Sequence, residues 1–154
     1  MISSAFSPAT RAVLRVALAA GVATALLGGC GMMSSKKTVA FSGAMSGSAE
    51  VPPNMTRGSG TAEAWFDRDN NELKWKIVYS GLSGPATAAH FHGPAAAGAN
   101  APVALGFQNA ASPIEGSATL TPAQAADLLA GRWYANIHTA ANPGGEIRGQ
   151  MLPK

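Results

Sequence analysis

Thr61-Ala62-Glu63-Ala64-Trp65-Phe66-Asp67, Arg68-Asp69-Asn70-Asn71 and Glu72-Leu73-Lys74-Trp75-Lys76-Ile77-Val78-Tyr79-Ser80 form the stretch that decides the fold. In the last of these, Leu73, Trp75, Ile77 and Tyr79 alternate with Lys74, Lys76, Val78 and Ser80. Successive side chains of a strand point to opposite faces, so this pattern predicts a half-buried antiparallel strand with one solvated side. In the first arm, Ala62, Ala64 and Phe66 fall on one side, and Thr61, Glu63 and Trp65 on the other. The Asp/Asn-rich link between the arms suits a tight turn, because these side chains bond the backbone locally and tolerate left-handed dihedrals.

Working outward, strand-like segments recur at residues 38–43, 88–92, 102–107, 114–120, 133–139 and 146–151. Residues 93–101, rich in Gly, Ala and Pro, predict an exposed loop. One segment differs. Thr121-Pro122-Ala123-Gln124 offers an N-cap, a proline at the first helical position and a glutamine that can bond back to the cap. A short helix is predicted near residues 122–130, closed by Gly131 and pinned to the core by Leu128 or Leu129. Seven to eight short strands with one small helix predict an all-β fold. The expected architecture is an antiparallel Greek-key β-sandwich of the immunoglobulin-like or superoxide-dismutase-like kind. A closed barrel satisfies the same periodicity.

The N-terminal residues read differently. Arg11 and Arg15 precede an uncharged apolar run, which ends in Leu27-Gly28-Gly29-Cys30. That layout predicts a secretory signal over residues 1–29. Cys30 is the only cysteine, so no intramolecular disulfide can form. Leu-Gly-Gly-Cys resembles the bacterial lipobox, which implies that Cys30 carries lipid and tethers the protein to a membrane. Gly31 after it, by resemblance to lipoprotein sorting, implies the outer membrane facing the periplasm. Residues 30–37 then form a lipidated tether and residues 38–154 the folded domain. Without Arg11 and Arg15, nine basic and eight acidic side chains remain. This near-neutral balance, with no run of like charge, gives no sign of a nucleic-acid partner.

All three histidines lie in Ala89-His90-Phe91-His92-Gly93-Pro94 and Tyr134-Ala135-Asn136-Ile137-His138-Thr139. In strands, His90 and His92 share a face, as do Tyr134, Asn136 and His138. Three imidazoles from two strands are a candidate set for copper or zinc. The competing reading makes them hydrogen-bonded fold determinants that lock loops. A His-x-His strand in a sandwich is similar to the copper-zinc superoxide dismutase architecture. The chain lacks the further histidines and the aspartate of that family's bridged second metal, so dismutase activity is not implied. With no carboxylate base at fixed spacing and no activated nucleophile, an enzyme is not expected.

Asn142-Pro143-Gly144-Gly145 predicts a tight turn with positive φ at either glycine, followed by Glu146-Ile147-Arg148. Arg148 is expected to pair with Glu50 or Glu146, or to help bind an anion beside the histidines. Glu50, in the stiff Glu50-Val51-Pro52-Pro53 segment, is a candidate to set a histidine tautomer or complete a metal shell. Trp75 and Trp133 suit a core, and Trp65 a surface.

Together these segments resemble a CHRD domain, the module named after chordin. The resemblance is carried by Glu50-Val51-Pro52-Pro53, Tyr79-Ser80-Gly81-Leu82, Ala89-His90-Phe91-His92-Gly93 and Gly98-Ala99-Asn100-Ala101-Pro102-Val103. Gly116, Leu128, Ala130-Gly131, the Trp133-to-Thr139 strand and Asn142-to-Gly149 complete it. Phe91 stands where Ile or Val is common, and Ala101 where Gly is common. In animals such domains occur in a secreted antagonist of bone morphogenetic proteins, and many bacterial members are exported. The resemblance implies a non-enzymatic binding or structural module at the cell envelope, with an unknown protein or small molecule as its ligand.

Overall fold

The computed structural model describes residues 37–154. The expected signal (residues 1–29), Cys30 and the tether up to residue 36 lie outside the described residues. The chain order is β1 (Thr38–Ser46), a 3-10 turn (Gly47–Ala49), β2 (Ser59–Asp67), β3 (Glu72–Ser80), β4 (Ala86–His92) and β5 (Val103–Gly106). β6 (Ile114–Thr119), α1 (Pro122–Leu129), β7 (Trp133–Thr139) and β8 (Ile147–Pro153) follow.

The eight strands form one hydrogen-bonded sheet in the order β5-β4-β7-β8-β1-β2-β3-β6, and every pairing is antiparallel. The sheet curls so that its two halves face each other across the core. Trp75 of β3 lies edge-on to Phe91 of β4 with ring centroids 5.8 Å apart, though four strands separate β3 from β4 within the sheet. The two layers expected of a sandwich are thus halves of one continuous sheet. β5 and β6 remain its edges, so the hydrogen-bonded ladder does not close into a barrel.

The hairpin forms as its alternation predicts. β2 pairs β3 from Ser59↔Ser80 to Asp67↔Glu72. Ala62, Ala64, Phe66, Leu73, Trp75 and Ile77 are buried, while Trp65 remains 40% exposed. Asn71 takes a φ of 57°, the left-handed conformation an asparagine tolerates in a turn. Residues 68–71 are further held by Asp67 Oδ1 accepting from the Asp69 amide and Asn70 Oδ1 from the Glu72 amide.

The helix starts on the expected capping box. Thr121 Oγ1 accepts from the Gln124 amide at 3.3 Å, and Gln124 Oε1 accepts from the Thr121 amide at 3.0 Å. Leu128, rather than Leu129, is the buried anchor, and Gly131 closes the helix with a φ of 68°. The core gathers Phe41, Phe66, Leu73, Trp75, Ile77, Phe91, Trp133, Ile137, Ile147 and Met151. Each such side chain contributes about 2 kcal/mol through burial.

β7 has a property that positions the functional site: all seven of its residues are buried. Trp133, Ala135 and Ile137 belong to the core cluster. The opposite face carries Tyr134, Asn136 and His138. Loops cover that second face, and they need polar partners because their backbone carbonyls and amides would otherwise be buried unpaired.

Candidate metal centre

The pairing of β4, β7 and β8 places the polar side chains in rows. His92 opposes Tyr134, which opposes Gln150. His90 opposes Asn136, which opposes Arg148. Ala88 opposes His138. The small Ala88 leaves room for the His138 ring to lean towards its diagonal neighbour His90. The expected shared face of His90 and His92 is present, and the pairing of β4 with β7 sets His138 on the same side, which brings the three rings together. Centroids lie 5.4 Å apart for His90–His92, 5.0 Å for His90–His138 and 5.9 Å for His92–His138. One ring nitrogen from each lies within 4.8 Å of the other two.

The remaining ring nitrogens show what these atoms can do. His138 Nδ1 sits 3.0 Å from Pro143 O, and His92 Nδ1 sits 3.0 Å from Ala101 O. A carbonyl oxygen only accepts, so both Nδ1 atoms carry the proton and both Nε2 atoms present a lone pair. His90 Nδ1 lies 3.1 Å from His138 Nε2 and donates to it. His92 Nε2 is buried with no hydrogen-bond partner. An unpaired buried acceptor costs about 1–3 kcal/mol, so its position needs an explanation. Burial pushes all three imidazoles below their ordinary value. Mutual repulsion adds to this at His90 and His92, and the Arg148 charge at His92. The backbone bonds to Ala101 and Pro143 act the other way at His92 and His138 without reversing the shift. The rings therefore stay neutral near pH 7, each with one unprotonated nitrogen, of which His92 Nε2 is unpartnered.

Backbone carbonyls, not Glu50, set these tautomers. Glu50 Oε1 instead accepts from Asn136 Nδ2 at 2.5 Å, and Asn136 Nδ2 also reaches Ile147 O at 3.0 Å. Burial raises the Glu50 carboxyl above its ordinary range, against the Asn136 bond and the Arg148 charge. Among the described residues, the metal-capable group contains the three histidines and no carboxylate.

The expected Arg148–carboxylate ion pair does not form. Arg148 donates to Ala99 O at 2.7 Å and to Asn100 Oδ1 at 3.1 Å. Its guanidinium carbon lies 3.4 Å from the centroid of the Tyr134 ring. Glu146 is out of the ion-pairing competition because neutral donors saturate it. Thr56 Oγ1 at 2.6 Å, the Ser83 amide at 2.7 Å, Ser83 Oγ at 2.6 Å and Thr139 Oγ1 at 2.5 Å all donate to its carboxylate. Burial pushes the Glu146 carboxyl up, but the bonds from Ser83, Thr139 and Thr56 outweigh it and hold the group down at about 2. Glu146 is thus a structural anion that ties β7, the segment before β4 and the segment before β2 together.

Sequence reasoning did not assign a role to Tyr134. Its ring stacks on His92 with centroids 4.9 Å apart and planes within 4°. Its hydroxyl accepts from the Ala101 amide at 3.1 Å. The chain of Arg148 on Tyr134 on His92 fixes the plane of that imidazole. The signal for it was its shared face with His138. The roles of Ala101 O and Pro143 O carried no side-chain signal.

No curated protein and no solved structure matches the chain. A family model does: that of the CHRD domain, over residues 41–151, a span containing every side chain of the site. The chain belongs to the CHRD domain family.

Proposed function

We propose that this domain is a non-enzymatic binding module whose ligand is a single copper or zinc ion, held by His90 Nδ1, His92 Nε2 and His138 Nε2. The observation that supports this reading is the convergence of three imidazole nitrogens within 4.8 Å, two of them oriented by backbone carbonyls on their far side. Histidines that ligate metals characteristically donate their other N–H in this way. Ligands on one ion at 2.0–2.1 Å stand at most about 4.2 Å apart. The 3.1 Å pair meets this limit, and the His92 nitrogen, within 4.8 Å of both, comes the rest of the way when the ion binds. The His90 proton moves from Nδ1 to Nε2 when Nδ1 becomes a ligand.

Equilibrium dialysis of the full chain against micromolar copper or zinc tests this. One equivalent should be retained per chain, and a His90→Ala/His138→Ala double variant should retain none. Retention unchanged in the double variant would rule out the site.

The proposal extends to location: the module is exported and held at the cell envelope by lipid on Cys30. Support comes from Arg11, Arg15 and the apolar run ending in Leu27-Gly28-Gly29-Cys30. A Cys30→Ser change should release the protein from the membrane fraction or leave it unprocessed. Normal processing with continued membrane association would contradict the anchor.

A further inference from the structure

We propose that the histidine site selects its ion by charge, taking copper as Cu(I) in preference to Cu(II) or Zn(II). The inference rests on the three-imidazole reading above and asks which ion that environment suits.

Donor softness does not decide the matter, because imidazole suits both copper and zinc. Charge does. The three candidate ligands are neutral, and among the described residues no carboxylate or thiolate joins their group. His92 and His138 are only 9% and 8% exposed. The formal charge stacked against the cluster is positive, through Arg148 on Tyr134 on His92. The nearby carboxylates are directed elsewhere: Glu50 to Asn136, and Glu146 to Thr56, Ser83 and Thr139. An ion here has none of its charge cancelled by its own ligands, and on the His92 and His138 side it is poorly solvated. The cost of burying charge grows with its square, so a divalent ion costs about four times what a monovalent one does.

Coordination number alone does not separate Cu(I) from Zn(II), because three imidazoles and a water also suit a zinc ion with an open position. Structural Zn(II) sites are almost always tetrahedral, with four protein ligands. Here three side-chain nitrogens converge, and the fourth position would fall to water. Cu(I) accepts three nitrogen donors without a fourth, so it needs no water drawn into the site. His90 is the half-buried member of the trio and marks the side from which an ion would enter.

The test uses the full chain, with three separate competition titrations. Cu(I) is supplied anaerobically with ascorbate against a chromophoric Cu(I) chelator. Cu(II) and Zn(II) are each titrated against a chelating dye of known affinity. The expected result is one Cu(I) per chain, bound at least 100-fold more tightly than either divalent ion. His90→Gln and His138→Gln, each checked for native circular dichroism, should each lose that binding. Equal or tighter binding of Zn(II) or Cu(II) would overturn the charge selection and leave the three-histidine site standing. Failure of all three ions to bind would overturn both readings.

Discussion

His90 Nδ1 lies 3.1 Å from His138 Nε2, bridging two adjacent strands at positions 48 residues apart in the chain. The direction of this bond follows from the other side of the His138 ring, where Nδ1 donates to Pro143 O. The same logic holds for His92, whose Nδ1 donates to Ala101 O and leaves Nε2 without a partner. Long-range proton–nitrogen NMR of the metal-free protein at pH 7 should therefore find His92 and His138 protonated at Nδ1. Protonation of either at Nε2 would remove the lone pair on which the site depends.

Gly145 controls the polar wall beside the histidines. It adopts a φ of 134°, and a Cβ there would lie 2.7 Å from Asn136 Nδ2, Asn136 Oδ1 and Glu50 Oε1. Gly145→Ala should cost roughly 2–3 kcal/mol, from backbone strain and displacement of the Glu50–Asn136 bond. Gly144 has nothing within 4 Å of the same test position, so Gly144→Ala should shift stability by less than about 1 kcal/mol. Urea unfolding of the two variants makes the comparison, and equal losses would contradict this account of the turn.

Glu146 makes stability depend on acid. Its folded-state value of about 2 lies below the ordinary 4.5, so folding favours the ionised form. That contribution is complete above the ordinary value and is lost as pH falls from about 4.5 to about 2. The thermal midpoint should fall across this window in the native protein. In Glu146→Gln it should start lower at pH 7 and change less with acid, since an amide cannot accept all four donors. The loss at pH 7 should be on the order of 3 kcal/mol. A Gln variant with the native acid profile would assign the effect to other groups.

Arg148 holds the loop over the site through geometry that lysine cannot copy. Its planar guanidinium stacks on Tyr134 while donating to Ala99 O and Asn100 Oδ1. Arg148→Lys keeps the charge, yet should cost about 2 kcal/mol. It should also speed amide exchange at residues 99–101. Unchanged exchange there would show that the loop is held by other contacts.

Much of this structure was legible in local pattern. The alternation of Leu73, Trp75 and Ile77 gave the hairpin, Thr121 and Gln124 gave the helix start, and period two gave the shared face of His90 and His92. The continuity of the sheet was not legible, because alternation reports which face is buried and not which strand is the neighbour. Arg148 was expected to meet a carboxylate because charge complementarity is the simplest guess. The structure gives Glu146 to four neutral donors from distant segments, and only the fold brings Thr56, Ser83 and Thr139 to one point. The orienting groups of the histidines are backbone carbonyls of Ala101 and Pro143, which every residue possesses and no sequence pattern marks.

X-ray absorption fine structure of the copper-loaded full chain tests the central claim most directly. The account predicts a first shell of three imidazole nitrogens at about 2.0 Å, with the outer-ring scattering of histidine. A shell dominated by oxygen, or one showing fewer than two imidazoles, would contradict it.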